Sequence, residues 1–395
     1  MKKCIQDMDV TNKRVIIRCD FNVPVKDGKI LDDNKIRASL ETIQYLIEKK
    51  AKIIILSHFG KVKTEEDKKK NSLEIVARRL QELVPSKVLF SRQTRSVMLA
   101  SKINDMAPGE ILVLENTRFE DVPNKLESDN DPQLAMYWAE LADIFCLDAF
   151  GSAHRAHAST FGIAKYLPSC IGFLVQREVY NLDKYVLNAE KPFTILMGGA
   201  KVEDKVELIE SLLPKCDHLL LTGGIANSCL YVLEYMVGKS LRTDDEQVME
   251  KIKNLLIQYK DKIMLPLDVI VGNSYDENYV KHLQVNEVGS GDIIYDIGIE
   301  TIDAYTEVIK NSKTIFINGT AGKYEDKKFA TGTRELLERI SNTPINKIVG
   351  GGDGVSAVNY FNLQDKFTYL STGGGATLEY IIQGSLPAID NIENK

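Results

Sequence analysis

The sequence predicts an α/β fold in which two doubly wound, parallel-sheet (Rossmann-like) domains are joined by a long hinge helix. Short β-rich runs alternate with longer segments of helical period from one end of the chain to the other, which is the pattern of parallel βα units. The length of 395 residues exceeds what one ordinary core supports, so at least two domains are expected.

In the first half of the chain, five β-rich runs predict the strands of one sheet. They lie at residues 14–20, 52–58, 87–90, 110–115 and 143–150. A helix is predicted after Asp33, because aliphatic residues recur there at the 3.6-residue period of one helix face. These are Ile36, Leu40, Ile43 and Ile47. The charged run at 61–70 is interpreted as a solvated loop.

The second half repeats the scheme, and glycines follow each predicted strand. These strands lie at 193–197, 218–222, 314–318, 347–350 and 367–371. Between the halves, a helical stretch at 173–190 lies between Pro168 and Pro192. The predicted domains are therefore 1–172 and 191–379, with 173–190 as the connecting helix.

Composition restricts the class of protein. The net charge of -6 and the 44% of apolar residues are typical of a globular enzyme and argue against nucleic acid binding. The amino terminus has no apolar stretch after its lysines, so neither secretion nor a membrane span is expected. Six cysteines without a CxxC pair indicate reduced, packed thiols in a cytoplasmic protein.

Basic and polar side chains follow the strands of the first half. Ligands of open parallel sheets bind beyond the carboxyl ends of the strands. The residues at these ends include Asp20, Phe21, Asn22, His58, Phe59, Gly60, Lys61, Arg118, His154, Arg155 and His157, and Arg37 lies at the start of the first helix. One such side chain has an ordinary structural explanation, but their recurrence predicts a site for a multiply anionic ligand.

Glycines occupy the corresponding turns of the second half. The residues there are Gly198, Gly199, Ala200, Lys201, Gly223, Gly224, Asn318, Gly319, Thr320, Gly350, Gly351, Gly352, Asp353, Gly354, Gly373, Gly374 and Gly375. Bare turns at helix amino termini let backbone amides approach phosphate oxygens. Lys201 and Lys205 share one helix face toward this polyphosphate site. Asp353 is the carboxylate in these turns suited to a magnesium ion carried with a nucleotide.

Two other motif interpretations are weaker. Residues 352–357 fit the GxGxxA form of a dinucleotide fingerprint, which would suggest a dehydrogenase. That motif normally opens its domain, and Asp353 within the turn would repel a pyrophosphate. Neither a GxxxxGK[ST] motif nor an HRD or DFG set is present, so P-loop and protein-kinase classes are also disfavoured.

Several longer motifs resemble the phosphoglycerate kinase family. They are DFNVP, SHFGK, ENTRF, AHRAHAST, GGAKVEDK, GGGD and STGGGATLE, and they run through nearly the whole chain. The resemblance implies two α/β lobes, a carboxyl-terminal tail at about 380–395 that returns to the first lobe, and a cytoplasmic, usually monomeric enzyme of glycolysis. The implied reaction is reversible transfer of the γ-phosphoryl group of ATP to the carboxylate of 3-phosphoglycerate.

The resemblance also implies roles for individual residues. The phosphoglycerate ligands would be Asp20, Phe21, Asn22, Arg37, His58, Phe59, Gly60, Lys61, Arg118 and Arg155. The nucleotide ligands would be Gly199, Ala200, Lys205, Gly223, Gly224, Asn318, Thr320, Glu325, Gly351, Gly352, Asp353 and Gly354, with Mg²⁺ at Asp353. The group in transfer would be stabilised by Arg37, Lys201, Gly373 and Gly374. Hinge closure is expected to bring the two ligands together.

The sequence departs from the family pattern at several positions. Lys61 replaces an arginine, Leu147 an asparagine, Thr320 a proline, and Gly354 a serine or threonine; Ile299 also departs from the usual DIGP segment. Most of these lie on the nucleotide side, which predicts weaker nucleotide binding or an altered base preference. An alternative hypothesis is therefore a catalytically weak member that acts as a ligand-binding or regulatory protein.

Overall fold

The computed structural model describes residues 1–276 and 278–395 and divides into two compact units. Unit 1 comprises Met1–Tyr180 and Ser385–Lys395, and unit 2 comprises Asn181–Gly384. The chain passes from unit 1 to unit 2 within the helix Phe173–Leu182, and a π-helical turn, Asp183–Leu187, follows it.

Unit 1 contains a six-stranded parallel sheet with the strand order β5-β6-β4-β1-β7-β8. The strands are β1 (Arg14–Cys19), β2 (Val25–Lys26), β3 (Lys29–Ile30), β4 (Lys52–Leu56), β5 (Val88–Phe90), β6 (Ile111–Val113), β7 (Ile144–Asp148) and β8 (Ser169–Ile171), of which β2 and β3 form a separate hairpin. The helices are α1 (Asn34–Ala38), α2 (Leu40–Glu48), α3 (Glu65–Lys70), α4 (Glu74–Leu83), α5 (Leu99–Asn104), α6 (Pro132–Glu140) and α7 (Phe173–Leu182).

All five strands predicted for the first half are present. The helix predicted after Asp33 is confirmed as α1 and α2, which meet at Ser39. The loop predicted at 61–70 is wrong for its second part, where α3 forms an exposed turn of helix. The Thr64 side chain caps its amino terminus, and acidic and basic side chains occupy the ends where the helix dipole favours them.

Unit 2 contains a second six-stranded parallel sheet with the order β11-β10-β9-β15-β16-β17. The strands of the unit are β9 (Phe193–Met197), β10 (His218–Leu221), β11 (Ile263–Met264), β12 (Asp268–Gly272), β13 (Lys281–Gln284), β14 (Ile293–Ile297), β15 (Thr314–Asn318), β16 (Asn346–Gly350) and β17 (Tyr369–Leu370). The helices are α8 (Val202–Leu212), α9 (Gly223–Val232), α10 (Glu246–Gln258), α11 (Ile299–Lys310), α12 (Thr331–Ser341), α13 (Gly352–Tyr360) and α14 (Gly375–Gln383).

The strand order of this sheet predicts where a ligand would bind. Counted along unit 2, the order is that of a doubly wound dinucleotide-binding sheet, whose direction of winding reverses between β9 and β15. Ligands of such sheets bind beyond the carboxyl ends of the strands at that point. The predicted fold class, α/β with two doubly wound parallel sheets, is confirmed. The antiparallel sheet β13-β12-β14 was not predicted.

The carboxyl-terminal residues belong to unit 1. There α15 (Pro387–Asp390) precedes a segment that pairs with the amino terminus, where Lys3 N donates to Glu393 O at 2.9 Å. Ala388 N also donates to Ala153 O at 3.1 Å. The tail is therefore attached to both the amino terminus and the segment after β7.

The burial of the cysteines agrees with the expectation of packed thiols. All six cysteines are free and buried. Among the residues that the structure describes, none of the helices combines the length and apolar character that a bilayer span requires.

Candidate functional site

A cluster of basic groups lies at the carboxyl ends of the strands of unit 1. We define the cationic cluster as Arg18, His58, Arg118 and Arg155. Electrostatic interactions of Arg18 and Arg118 reach His58, and Arg118 and Arg155 act on each other. The structure thus brings together three residues that the sequence predicted, and it adds Arg18, which the sequence analysis missed.

Arg18 is buried and held by a chain of hydrogen bonds. Its Nε donates to Ser159 Oγ at 2.8 Å. The Ser159 backbone N in turn donates to Glu127 Oε2 at 2.9 Å, and the Ser159 hydroxyl donates to Oε1 of the same carboxylate. Glu127 and Ser159 are fully buried. The sequence offered one signal of this network, which is the arginine within the apolar strand RVIIRC. Such an arginine is expected to be buried and must then be paired.

His58 is neutral at physiological pH. Burial lowers its pKa to about 3, and the nearby Arg18 and Arg118 act in the same direction against the opposing charge of Asp20. Arg18 Nη2 lies 3.2 Å from His58 Nδ1. Because a guanidinium only donates, Nδ1 accepts and the ring hydrogen is on Nε2. His58 therefore offers a neutral N–H donor.

Asp20 supplies a compensating negative charge. Burial alone would raise its pKa, but His58, Lys35 and Arg18 lower it to about 2. His58 is uncharged above about pH 3. At neutral pH the cations that act on Asp20 are therefore Arg18 and Lys35, and Lys35 Nζ lies 3.0 Å from Asp20 Oδ2. Asp20 is consequently ionised throughout the physiological range.

Hydrogen bonds through two asparagines join the loops of this site. Asn22 Oδ1 accepts from Gly60 N at 2.9 Å. Asn116 Oδ1 accepts from Phe59 N and from Arg118 N, each at 3.1 Å. The aromatic side chains of Phe59 and Phe21 are buried, so these residues can offer a ligand backbone groups only.

The remaining predicted cations differ in how they are held. Arg118 Nε is buried and has no hydrogen-bond partner among the described residues, whereas Arg155 Nε lies 3.0 Å from His154 Nε2. Lys61 is exposed. Arg37 donates to Asp33 Oδ1 at 2.8 Å, and no contact within the described residues joins it to the cationic cluster.

Unit 2 contains a cavity of about 350 Å³ at the carboxyl ends of its strands. Seven predicted nucleotide ligands line it: Gly199, Ala200, Gly223, Gly224, Thr320, Glu325 and Asp353. Its other wall is mainly apolar and includes Leu241, Pro266, Val269 and Ile294. A cavity lined by apolar side chains and by glycine turns suits a nucleotide, whose base packs while its phosphates meet backbone amides.

Other predicted residues of unit 2 do not line this cavity. They are Lys201, Lys205, Asn318, Gly351, Gly352, Gly354, Gly373 and Gly374. Of these, Lys205 is buried and donates to Asn318 Oδ1, and Asn318 Nδ2 donates to Gly350 O at 2.9 Å. Burial lowers the pKa of Lys205 to about 8, although Asp353 and Asp204 oppose the change. Lys205 thus joins α8 to the ends of β15 and β16.

The glycine turns have two different physical explanations. A Cβ at Gly319 would lie 2.2 Å from Gly198 O, and one at Gly198 would lie 2.2 Å from Thr320 O, so close backbone packing alone requires these glycines. A Cβ at Gly352 or Gly374 would meet nothing within 4 Å, although the φ of 56° at Gly374 itself favours glycine. These two lie at the amino termini of α13 and α14, where bare backbone is typical of anion binding.

Asp353 lies in the first turn of α13, is exposed and lines the cavity. Within the described residues there is no group of three or more His, Cys, Asp or Glu side chains able to hold a metal ion. A single carboxylate fits Mg²⁺ that is bound mainly by phosphates and water.

Gly354, a predicted nucleotide ligand, is buried beside the end of β16. A Cβ there would lie 3.0 Å from Val349 Cγ1 and 3.4 Å from Gly319 N. A serine at this position would therefore be crowded by the end of β16.

A cationic cluster on one parallel-sheet unit and a glycine-lined cavity on another are the features expected of nucleotide-dependent phosphotransferases. The family model described as phosphoglycerate kinase matches residues 5–384. The chain belongs to the phosphoglycerate kinase family.

Individual relatives give the same result. The phosphoglycerate kinases of Listeria innocua and Fusobacterium nucleatum are each 44% identical, over 396 and 400 residues, with 100% of both chains covered. The structure of phosphoglycerate kinase from Coxiella burnetii matches with a TM-score of 0.87 at 38% identity, and that from Pyrococcus horikoshii with 0.83 at 30%. Both cover 99% of this chain and 98% of the other chain.

These comparisons confirm the family indicated by the sequence motifs and its class, a phosphotransferase with a carboxyl group as acceptor. They give no support to the catalytically weak alternative or to the dehydrogenase interpretation.

Proposed function

We propose that this chain is an active phosphoglycerate kinase that uses ATP or ADP with 3-phosphoglycerate or 1,3-bisphosphoglycerate. The observation that carries the proposal is the placement of Lys205. In a chain that matches the family over its full length, this lysine is buried at the ends of β15 and β16, within electrostatic range of Asp353. Lysines are rarely buried, and a buried lysine with a shifted pKa beside the carboxyl ends of parallel strands is typical of a functional site.

The chemistry needs charge neutralisation more than proton transfer. A carboxylate acceptor is already ionised at neutral pH, so no general base is required. In unit 1, Arg118 and Arg155 would bind the anionic groups of phosphoglycerate with charge-assisted hydrogen bonds, and His58 Nε2 would donate without adding charge. The further ligands proposed there are Asp20, Phe21, Asn22, Arg37, Phe59, Gly60 and Lys61.

In unit 2, backbone amides and the side chain of Lys205 would bind the nucleotide. The proposed ligands are Gly199, Ala200, Lys205, Gly223, Gly224, Asn318, Thr320, Glu325, Gly351, Gly352, Asp353 and Gly354. Mg²⁺ carried by the nucleotide would contact Asp353 and neutralise phosphate charge. Lys201 and Arg37, with the backbone amides of Gly373 and Gly374, would stabilise the phosphoryl group in transfer.

We also propose that unit 1 binds phosphoglycerate and unit 2 the nucleotide, and that the enzyme is a cytoplasmic monomer. One assay tests the activity: the purified chain is mixed with Mg-ATP and 3-phosphoglycerate, and formation of 1,3-bisphosphoglycerate is followed by coupled reduction and NADH oxidation. Turnover that requires both substrates supports the proposal. Tight binding of both substrates without turnover would favour the regulatory alternative.

The first prediction concerns the glycine that replaces a hydroxyl residue. We expect Gly354→Ser to bind ATP about 5- to 30-fold more tightly than Gly354→Ala, since a hydroxyl contact to phosphate contributes about 1–2 kcal/mol. Both variants carry the same Cβ against Val349, so the comparison isolates the hydroxyl. Titration calorimetry with Mg-ATP measures it, and equal affinities of the two variants would refute the contact.

The second prediction concerns Lys205 and pH. With a pKa of about 8, Lys205 loses its charge as the pH rises above that value, so kcat/KM for ATP should fall, approaching tenfold per pH unit. Lys205→Arg keeps its charge and should lose this decline. The pH profile between 6.5 and 9.5, with KM for phosphoglycerate measured in parallel, checks both. A wild-type profile that is flat to pH 9.5 would show that Lys205 does not act through its charge.

A further inference from the structure

Asp296 is a buried carboxylate beside the nucleotide cavity that the sequence analysis did not assign to the site. It lies near the end of β14, is 1% exposed and belongs to the cavity lining. Its Oδ2 accepts from Gly332 N at 2.6 Å, in the first turn of α12. The carboxylate thus ties the antiparallel sheet to the amino terminus of a helix in the main core.

The same carboxylate is packed against a turn that forms one wall of the cavity. Residues 320–325 line the cavity. Within them, a Cβ at Gly322 would lie 2.3 Å from Asp296 Oδ1, and one at Gly332 would lie 2.2 Å from it. Asp296 therefore fills the space between this wall and α12, and glycine at both positions is what lets the backbone approach.

Two hydrogen bonds complete the attachment of the wall. Gly322 N donates to Thr333 Oγ1 on α12 at 2.9 Å. Lys323 N donates to Tyr295 O on β14, also at 2.9 Å. The wall that carries Thr320 and Glu325 is consequently fixed from β14 and from α12, with Asp296 at the junction.

One feature of Asp296 is costly for stability. Its Oδ1 is buried and has no hydrogen-bond partner among the described residues. Burial raises the pKa of this carboxyl to about 7, although hydrogen bonds from the backbone N–H groups of Gly332, Ile297 and Thr333 act against the change. A buried unpaired carboxylate oxygen destabilises the fold, which a role in the site would explain.

We infer that Asp296 is a positioning residue for nucleotide binding. It holds the cavity wall at 320–325 in place by joining this wall to α12. This inference rests on the proposed function. Asp296 does not need to touch the nucleotide; it acts through Thr320 and Glu325, whose placement depends on it.

The chain contains a matched control, Asp268 on the neighbouring strand β12. Its carboxylate caps the amino terminus of α11, where Thr301 N donates to Oδ1 at 2.8 Å and Glu300 N to Oδ2 at 3.1 Å. A Cβ at Gly298 would lie 2.1 Å from Asp268 Oδ2. It is also buried but does not belong to the cavity lining. Both carboxylates accept hydrogen bonds from the amino terminus of a helix, but only Asp296 lines the cavity.

The third prediction follows from this pair. We expect Asp296→Ala to raise KM for ATP about tenfold or more, with kcat and KM for 3-phosphoglycerate changed less than threefold, while Asp296→Asn, which keeps the acceptor for Gly332 N, restores KM to within about threefold. Asp268→Ala should lower the midpoint of thermal unfolding but leave KM for ATP unchanged. Thr333→Val, which removes the second attachment of Gly322, should raise KM for ATP as Asp296→Ala does.

The readouts separate the possible failures. If the wild-type chain has no kinase activity, the proposed function fails, and calorimetric titration with Mg-ATP still tests the positioning role. If the wild type is active but Asp296→Ala and Thr333→Val leave KM for ATP unchanged, the inference alone is overturned. It is also overturned if Asp268→Ala raises KM for ATP to the same extent, because the effect would then be one of general stability. Should Asp296→Ala fail to fold, Thr333→Val decides.

Discussion

Replacing Lys201 with alanine should lower kcat about 100- to 1000-fold with little change in KM for either substrate. Lys201 is the amino-terminal cap of α8 and is exposed, so its ammonium is not committed to a structural contact within the described residues. Removing one group that stabilises developing charge only in the transition state typically costs 10²–10³ in rate. Because Lys205 and the ends of α13 and α14 remain, nucleotide binding should persist.

The control for this result is Lys215→Ala, which removes an exposed lysine just beyond the other end of the same helix, α8. Steady-state kinetics of both variants with saturating Mg-ATP and 3-phosphoglycerate measure the difference. If Lys201→Ala keeps more than a tenth of wild-type kcat, Lys201 does not act on the group in transfer. If the Lys201→Ala variant has a higher KM for ATP and an unchanged kcat, Lys201 binds the nucleotide only in the ground state.

The parallel sheets could be predicted because their strands are buried on both faces and read as continuous apolar runs, as 52–56 and 314–318 do. The antiparallel sheet could not be predicted in the same way. Its strands β13 and β14 are largely half-buried, and the third, β12, follows β11 within a few residues. Short β8 was missed because it directly follows Pro168, in the segment interpreted as the connection between the two halves of the chain.

The positions of the candidate site residues in the fold were easier to predict than their surroundings. The rule that ligands bind beyond strand ends located both His58 and Asp353, because it depends only on the order of strands and loops. Whether a glycine is required by packing, as Gly319 is, or faces open space, as Gly352 does, depends on neighbours distant in the chain. Arg18 and Asp296 were missed because their importance comes from burial within strands, which a single sequence shows only as an isolated charge.

Replacing Arg118 with alanine should raise KM for 3-phosphoglycerate about 10- to 150-fold while kcat changes less than threefold. Its Nε is buried without a partner among the described residues, so the guanidinium already bears a desolvation cost that an anionic ligand would relieve. A charge-assisted hydrogen bond contributes about 1.5–3 kcal/mol, which corresponds to this range. Partial desolvation of the exposed Arg155 and the charge of the nearby Arg118 lower the pKa of Arg155, which shows two cations held close together. An anion bound between them removes that repulsion.

Arg118→Lys distinguishes charge from geometry, because lysine keeps the charge but not the fork of donors, and its KM should fall between those of the wild type and the alanine variant. Arg78→Ala is the control: this arginine on α4 has a side chain that is 74% exposed and pairs with Glu74 four residues earlier, so KM should not change. Kinetics at two ionic strengths sharpen the comparison, since added salt should raise KM for the wild type more than for Arg118→Ala. An alanine variant with wild-type KM for 3-phosphoglycerate would show that the cationic cluster binds some other anion, and the assignment of unit 1 would have to be abandoned.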